Sequence, residues 1–191
     1  MVLRKSLKKK FALISVFEKK NLKYLCSNLD KFNYNFISSG STGNKIRELG
    51  LRCKDISKLT NFKEMFGGRV KTLNPLIYSS LLYIRDDKIH KKQFQLLNMP
   101  EIDIVVVNLY PFKKYLKKNN NDQIIEMIDI GGPSLLRASG KNFKYITPIA
   151  DIMDYKKLVT NLRKNRGKTD IIFRKKMAIK VFKQTAQYDK I

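Results

Sequence analysis

Four short clusters gather the residue types that hold and transform a phosphorylated small molecule. They are Ser38-Ser39-Gly40-Ser41-Thr42, Gly67-Gly68-Arg69-Val70-Lys71-Thr72, Asn108-Leu109-Tyr110-Pro111-Phe112 and Ile128-Asp129-Ile130-Gly131-Gly132, the last followed by Lys141-Asn142. Glycines let a ligand approach the backbone, hydroxyls and N–H groups hold phosphate oxygens, and cations neutralise them. Ser39-Gly40-Ser41-Thr42 precedes a predicted helix, which makes it a phosphate nest at the positive end of a helix dipole. It lacks the first glycine of a dinucleotide fingerprint. Arg69 and Lys71 stand two apart, so an extended backbone puts both on one face. Arg suits a bidentate clamp on phosphate; Lys suits charge stabilisation or proton transfer. Tyr110 presents its hydroxyl at the end of an apolar run. Asp129, between two isoleucines, needs a partner or a proton, and Lys141 is a candidate partner.

Each of these residues also has a plainer reading: an N-cap, an exposed basic strand, a core tyrosine, a structural ion pair. The flanking glycines favour function. His90 lies in the charged run 85–92 and is read as exposed and uninvolved. No His/Ser/Asp triad and no metal-ligand cluster can be assembled from the sequence.

The elements that must position these clusters follow from hydrophobic periodicity. Residues 11–16 read as a buried strand and 22–29 as a helix. Residues 34–37 form a second strand ending in the Ser/Gly/Thr cluster, and 44–49 a short helix stopped at Gly50. Residues 56–60 read as turn-rich, and 70–84 as irregular with a helical part from Leu76. Residues 102–109 are apolar on both faces, as a central strand requires. The polar stretch 117–121 reads as a surface loop and 123–128 as helical. Gly131-Gly132-Pro133 opens a helix running through Ser139, and 145–149 is a further strand. Residues 154–163 and 173–185 are amphipathic helices. Strands alternating with helices predict an α/β domain with a mostly parallel sheet, whose ligands bind at the carboxyl ends of the strands. Ser15, the 38–42 cluster and Asn108 all fall at such ends, which turns separate motifs into one expected site.

Composition narrows the class. A chain of 191 residues, 43% hydrophobic, can bury one real core. Its apolar runs are too short to span a bilayer. Residues 1–10 read as a basic lead-in, and two cysteines without metal-type spacing fit reduced thiols in a cytosol. The net charge of +24 is dispersed along the whole chain, mostly as Lys. That is the pattern of a solvated basic surface, and nucleic acid is not the expected partner.

In order and spacing, Gly68-Arg69-Val70-Lys71-Thr72-Leu73, Asn108-Leu109-Tyr110-Pro111-Phe112 and Ile128-Asp129-Ile130-Gly131-Gly132 with Lys141-Asn142 resemble the IMP cyclohydrolase domain. That domain is the N-terminal half of the bifunctional AICAR transformylase/IMP cyclohydrolases of purine biosynthesis. The similarity runs from the first strand to Thr185-Ala186-Gln187-Tyr188-Asp189. It implies a methylglyoxal-synthase-like (MGS-like, Rossmann-like) three-layer fold over residues 11–191. It implies closure of the purine ring of formyl-AICAR ribotide, giving IMP and water. Phosphate would be held by Lys19, Ser39, Gly40, Ser41, Thr42 and Arg69, beside Ser15. Lys71, Thr72, Val107, Asn108, Tyr110, Asp129, Ile130 and Gly131 would surround the base and reaction centre. Lys141 would be the proton donor and acceptor. Lys71 and Lys141 would stabilise the oxyanion formed on the formyl group, while Asp129 and Tyr110 move protons or orient the amide. The resemblance requires no metal or redox cofactor.

The sequence departs from the family at Phe17, where a phosphate-binding serine is expected, and at Ser41, where the family has glycine. Asn74 replaces a histidine before Pro75, and Tyr78-Ser79-Ser80 replace a histidine and two small residues. The chain stops where the transformylase half begins, so that activity is expected to be absent from it. The expected setting is cytoplasmic, away from membranes, with the nucleotide as ligand. A separate transformylase polypeptide and a homodimeric copy are the candidate protein partners. Two other classes stand beside this one: a non-catalytic nucleotide-binding or regulatory domain, and a basic nucleic-acid-binding protein.

Overall fold

The apolar run after the basic start becomes the middle strand of a parallel sheet. β1 (Lys10–Val16), β2 (Tyr34–Ser38), β3 (Cys53–Asp55), β4 (Ile102–Asn108) and β5 (Thr147–Ile149) align in the order β3-β2-β1-β4-β5. Every neighbouring pair is parallel. The computed structural model describes residues 9–116 and 120–190. Most of the expected lead-in at 1–10 and most of the expected loop at 117–121 lie outside the described residues; Lys10, expected in the lead-in, begins β1.

Alternation along the strands builds two cores. Phe11 and Leu13 of β1 join Val105 and Val107 of β4 on one face, while Ala12, Ile14 and Val16 join Ile104 and Val106 on the other. Both faces are covered, which is why these strands read as continuous apolar runs. The first face is covered by α4 (Pro75–Leu82), α5 (Lys88–Leu96) and α8 (Gly131–Lys141); the second by α1 (Leu22–Lys31), α2 (Gly40–Glu48) and α9 (Tyr155–Lys164). The long α10 (Ile171–Asp189) packs against α8 and β5, placing Val181 in the first core and Met177 in the second. Short helices α3 (Ile56–Thr60), α6 (Phe112–Tyr115) and α7 (Asn121–Glu126) complete the order. The architecture is the expected three-layer α/β fold.

Several local expectations need correction. Residues 56–60 are helical because Asp55 caps them, accepting a hydrogen bond from the Ser57 N–H at 2.9 Å. Asn121, expected in a loop, begins α7, with Asn120 accepting from the Gln123 N–H. The Ser/Gly/Thr cluster is not a loop ahead of a helix: α2 starts at Gly40, with Ser39 as its N-cap. The charged run around His90 forms α5, where the half-buried His90 accepts a hydrogen bond from the Ile84 N–H through Nδ1.

β1 has β2 on one side and β4 on the other. Connections therefore leave the two flanking strands in opposite directions, opening a crevice beyond the carboxyl end of β1.

Candidate active site

The crevice at the ends of β1, β2 and β4 encloses about 480 Å³. Its floor is made of polar side chains that tie backbone segments together. Beneath it, fully buried Ser38 donates to the Ile14 carbonyl at 2.6 Å. Buried Thr42 donates to the Val16 carbonyl at 2.9 Å and accepts from the Val16 N–H at 3.3 Å, so the first turn of α2 is stitched to the end of β1. Asn108 accepts from the N–H groups of Phe17 and Glu18 and donates to the Glu18 carbonyl at 2.9 Å. It thereby shapes the loop that carries Lys19.

Lys19 donates to the carbonyls of Val16 and Phe17 and to the Ser41 hydroxyl at 3.1 Å. Burial lowers its pKa, Glu18 opposes that shift, and Lys71 adds to it. A cation, a hydroxyl and the N-terminus of α2 thus meet at one point, the arrangement that receives an anion. The Ser39 side chain makes no capping bond to the helix.

Arg69 and Lys71 both line the crevice, but not as an extended pair. Arg69 has helical dihedrals (φ −63°, ψ −36°), and each cation has its own carboxylate. Arg69 pairs with Glu126 of α7, and Lys71 with Glu64 at 2.8 Å. Gly40, with φ +52°, lies behind this wall; a Cβ there would stand 2.6 Å from Lys71 Nζ. The left-handed backbone favours glycine here, and any larger residue would also have to push the Lys71 ammonium aside.

Opposite stands Asp129. Its carboxylate accepts from the Gly132 N–H at 2.8 Å, at the start of α8. Burial raises its pKa, while the backbone N–H groups of Gly132 and Tyr110 pull it back. Tyr110 is also raised, first by burial and then by Asp129, with Lys71 opposing. The Tyr110 ring leans on Phe17, centroids 5.2 Å apart. A Cβ on Gly131 would stand 2.7 Å from Thr72 Oγ1, so the glycine lets that hydroxyl close on the turn. Ile125, Ile128 and Ile130 leave apolar surface on the rim, each about half exposed.

Every residue expected in the site lines this crevice except Gly40 and Lys141. Lys141 is the last residue of α8, exposed, and twelve residues beyond Asp129. That spacing corresponds to about 18 Å along a helix axis, so the Asp129–Lys141 contact is not made. The backbone N–H groups of Gly132, at the start of α8, and of Tyr110 serve the carboxylate instead. Glu64, Glu126 and Ile125 were not anticipated. Two crevice cations in a chain with only sixteen acidic residues could have prompted a search for their partners.

The chain belongs to the MGS-like domain family, whose model matches residues 21–134. Residues 139–191 match the model described as AICARFT/IMPCHase bienzyme. The chain is similar to the bifunctional purine biosynthesis protein PurH of Persephonella marina, 42% identical over 181 residues that make up 94% of this chain and 35% of that one. To PurH of Lactobacillus acidophilus it is 44% identical over 184 residues, 95% of this chain and 36% of the relative. It thus spans about a third of the length of these curated relatives. A solved structure titled "Crystal structure of ForH" superposes with a TM-score of 0.84 at 26% identity, covering 96% of each chain.

Proposed function

We propose that this domain is an IMP cyclohydrolase, closing the purine ring of formyl-AICAR ribotide to give IMP and water. The observation that carries the reading is the meeting of Lys71, Tyr110 and Asp129 in one crevice with the anion-receiving start of α2. The ribotide phosphate lies at that helix start, held by Ser39, Ser41, Lys19 and Arg69. The imidazole lies between the Phe17–Tyr110 pair and the isoleucine rim. The carboxamide nitrogen then attacks the formyl carbon, forming the C–N bond and placing negative charge on the formyl oxygen. Lys71 stabilises that oxygen. The attacking nitrogen gives up a proton, which Asp129 accepts as a carboxylate, and Tyr110 orients the amide. The oxyanion takes up that proton to become a hydroxyl. A second protonation of this hydroxyl releases water as the former formamido nitrogen gives up its own proton, which completes the aromatic ring.

In purified protein, IMP formation from formyl-AICAR ribotide is expected. Lys71→Ala is expected to lower kcat roughly 100-fold or more, the scale of losing one oxyanion-stabilising donor. Turnover that survives this substitution overturns the assignment of Lys71. The position of Lys141 outside the crevice favours one second reading, a nucleotide-binding domain without turnover. It predicts salt-resistant IMP binding with no product formed.

A further inference from the structure

The last turn of α10 reaches into the candidate site through one side chain. Tyr188 accepts a hydrogen bond from the Asp129 N–H at 2.9 Å and donates one to the Met127 carbonyl at 3.0 Å. One hydroxyl therefore closes the turn that leads from α7 to α8, using both its donor and an acceptor site. The same ring meets Phe112, centroids 6.1 Å apart and planes 49° apart. Phe112 begins α6, two residues after Tyr110. Tyr188 thus touches both loops that supply the reaction-centre residues, one by hydrogen bonds and one by ring contact.

The geometry points to Tyr188 as a positioning residue that fixes the Asp129 carboxylate against the start of α8 and against Tyr110. Its hydroxyl sets where the Asp129 backbone stands, and the Gly132 N–H then receives the carboxylate at 2.8 Å. Gly132 has no room to adapt, because a Cβ there would collide with that carboxylate and with Leu109. An error in the Asp129 backbone therefore passes directly to its oxygens. The Tyr188 ring acts from outside the crevice and touches no ligand position, since Tyr188 is not among the lining residues. Its effect on turnover rests on the ring-closing reading above; its hold on Asp129 does not.

The test is Tyr188→Phe, which keeps the ring against Phe112 and removes only the hydroxyl, compared with wild type and Tyr188→Ala. Two readouts are independent of turnover: amide hydrogen exchange at Asp129, and the titration of its carboxyl followed by NMR. In Tyr188→Phe, exchange at Asp129 is expected to quicken at least tenfold and the carboxyl midpoint to move. Exchange in α9 stays as in wild type. If wild type closes the ring, kcat in Tyr188→Phe falls about 5–20-fold, KM stays within twofold, and the acid limb of the pH–rate profile shifts with the carboxyl midpoint. Unchanged exchange and an unchanged Asp129 midpoint overturn the inference, whatever the melting temperature does. Absence of turnover in wild type, with the NMR changes present, overturns the ring-closing reading and leaves the positioning role standing.

Discussion

Burial holds the Asp129 carboxyl above its ordinary value of 3.8, against the opposing pull of two backbone N–H groups. A carboxyl raised in the folded state favours folding most when it is protonated. Its contribution is fully present below the unfolded value near 3.8 and is lost as pH rises through the folded value. At neutral pH Asp129 therefore destabilises the fold it serves. Asp129→Asn keeps a carbonyl acceptor for Gly132 and removes the charge. It is expected to raise Tm at pH 7 and to change it little near pH 3, measured by thermal melts across that range. The same variant should lose turnover. The Arg69–Glu126 pair behaves differently because both side chains are exposed and screened by water. Glu126→Gln should leave Tm unchanged and tighten binding of IMP or inorganic phosphate several-fold, since Arg69 no longer has a carboxylate competing with the ligand. Calorimetric titration decides this; weaker binding would mean that Glu126 orders Arg69 instead of competing for it. Residue types and spacing revealed which positions line the crevice, but not how their bonds are spent. Thr42 and Asn108 read as ligand contacts, yet their side chains are taken up by the backbone of residues 16–18.

At the scale of elements, α8 carries the site at one end and is anchored at the other. Buried Asn142, just past its last residue, donates through Nδ2 to the carbonyls of Leu81 at 2.8 Å and Tyr83 at 3.0 Å. These bonds join the ends of α4 and α8. Asn142→Ala leaves two carbonyls without that donor and is expected to cost about 1–3 kcal/mol. Denaturant unfolding measures the loss; a change below about 0.5 kcal/mol would mean that water replaces the amide. The long elements were legible for a physical reason. β1, β2 and β4 are buried on both faces, and α9 sets Tyr155, Leu158, Val159 and Leu162 along one stripe. β3 has only three residues, none fully buried, and α5 buries Phe94 alone, so neither carries a periodic signal. The start of α2 was missed because Ser, Gly and Thr are weak helix formers, and here the packing of Thr42 on β1 overrides that preference.

At the scale of the molecule, forty Lys and Arg face sixteen Asp and Glu. Self-repulsion on this scale opposes the compact state, and salt screens it. Tm at pH 7 should therefore rise as sodium chloride goes from low concentration to about 0.5 M, where the screening length is only a few ångströms. A Tm that falls with salt would show that ion pairs such as those of buried Asp154 with Lys157 and Lys180 outweigh the repulsion. The overall architecture was readable because alternating strands and helices allow few parallel arrangements. The strand order was not, since β3 gave no signal.

That order has a consequence for how the chain acquires its shape. β1 pairs with β2 soon after both exist, but its other edge waits for β4, whose Ile102 must find Phe11. As the polypeptide emerges during synthesis, β1 therefore spends the time taken to make the intervening residues with one row of backbone groups unmet. Such an edge is a template for strands of other nascent copies. Closure of β1 by β4 is a long-range pairing and correspondingly slow. The crevice, whose walls come from both strands, exists only after it.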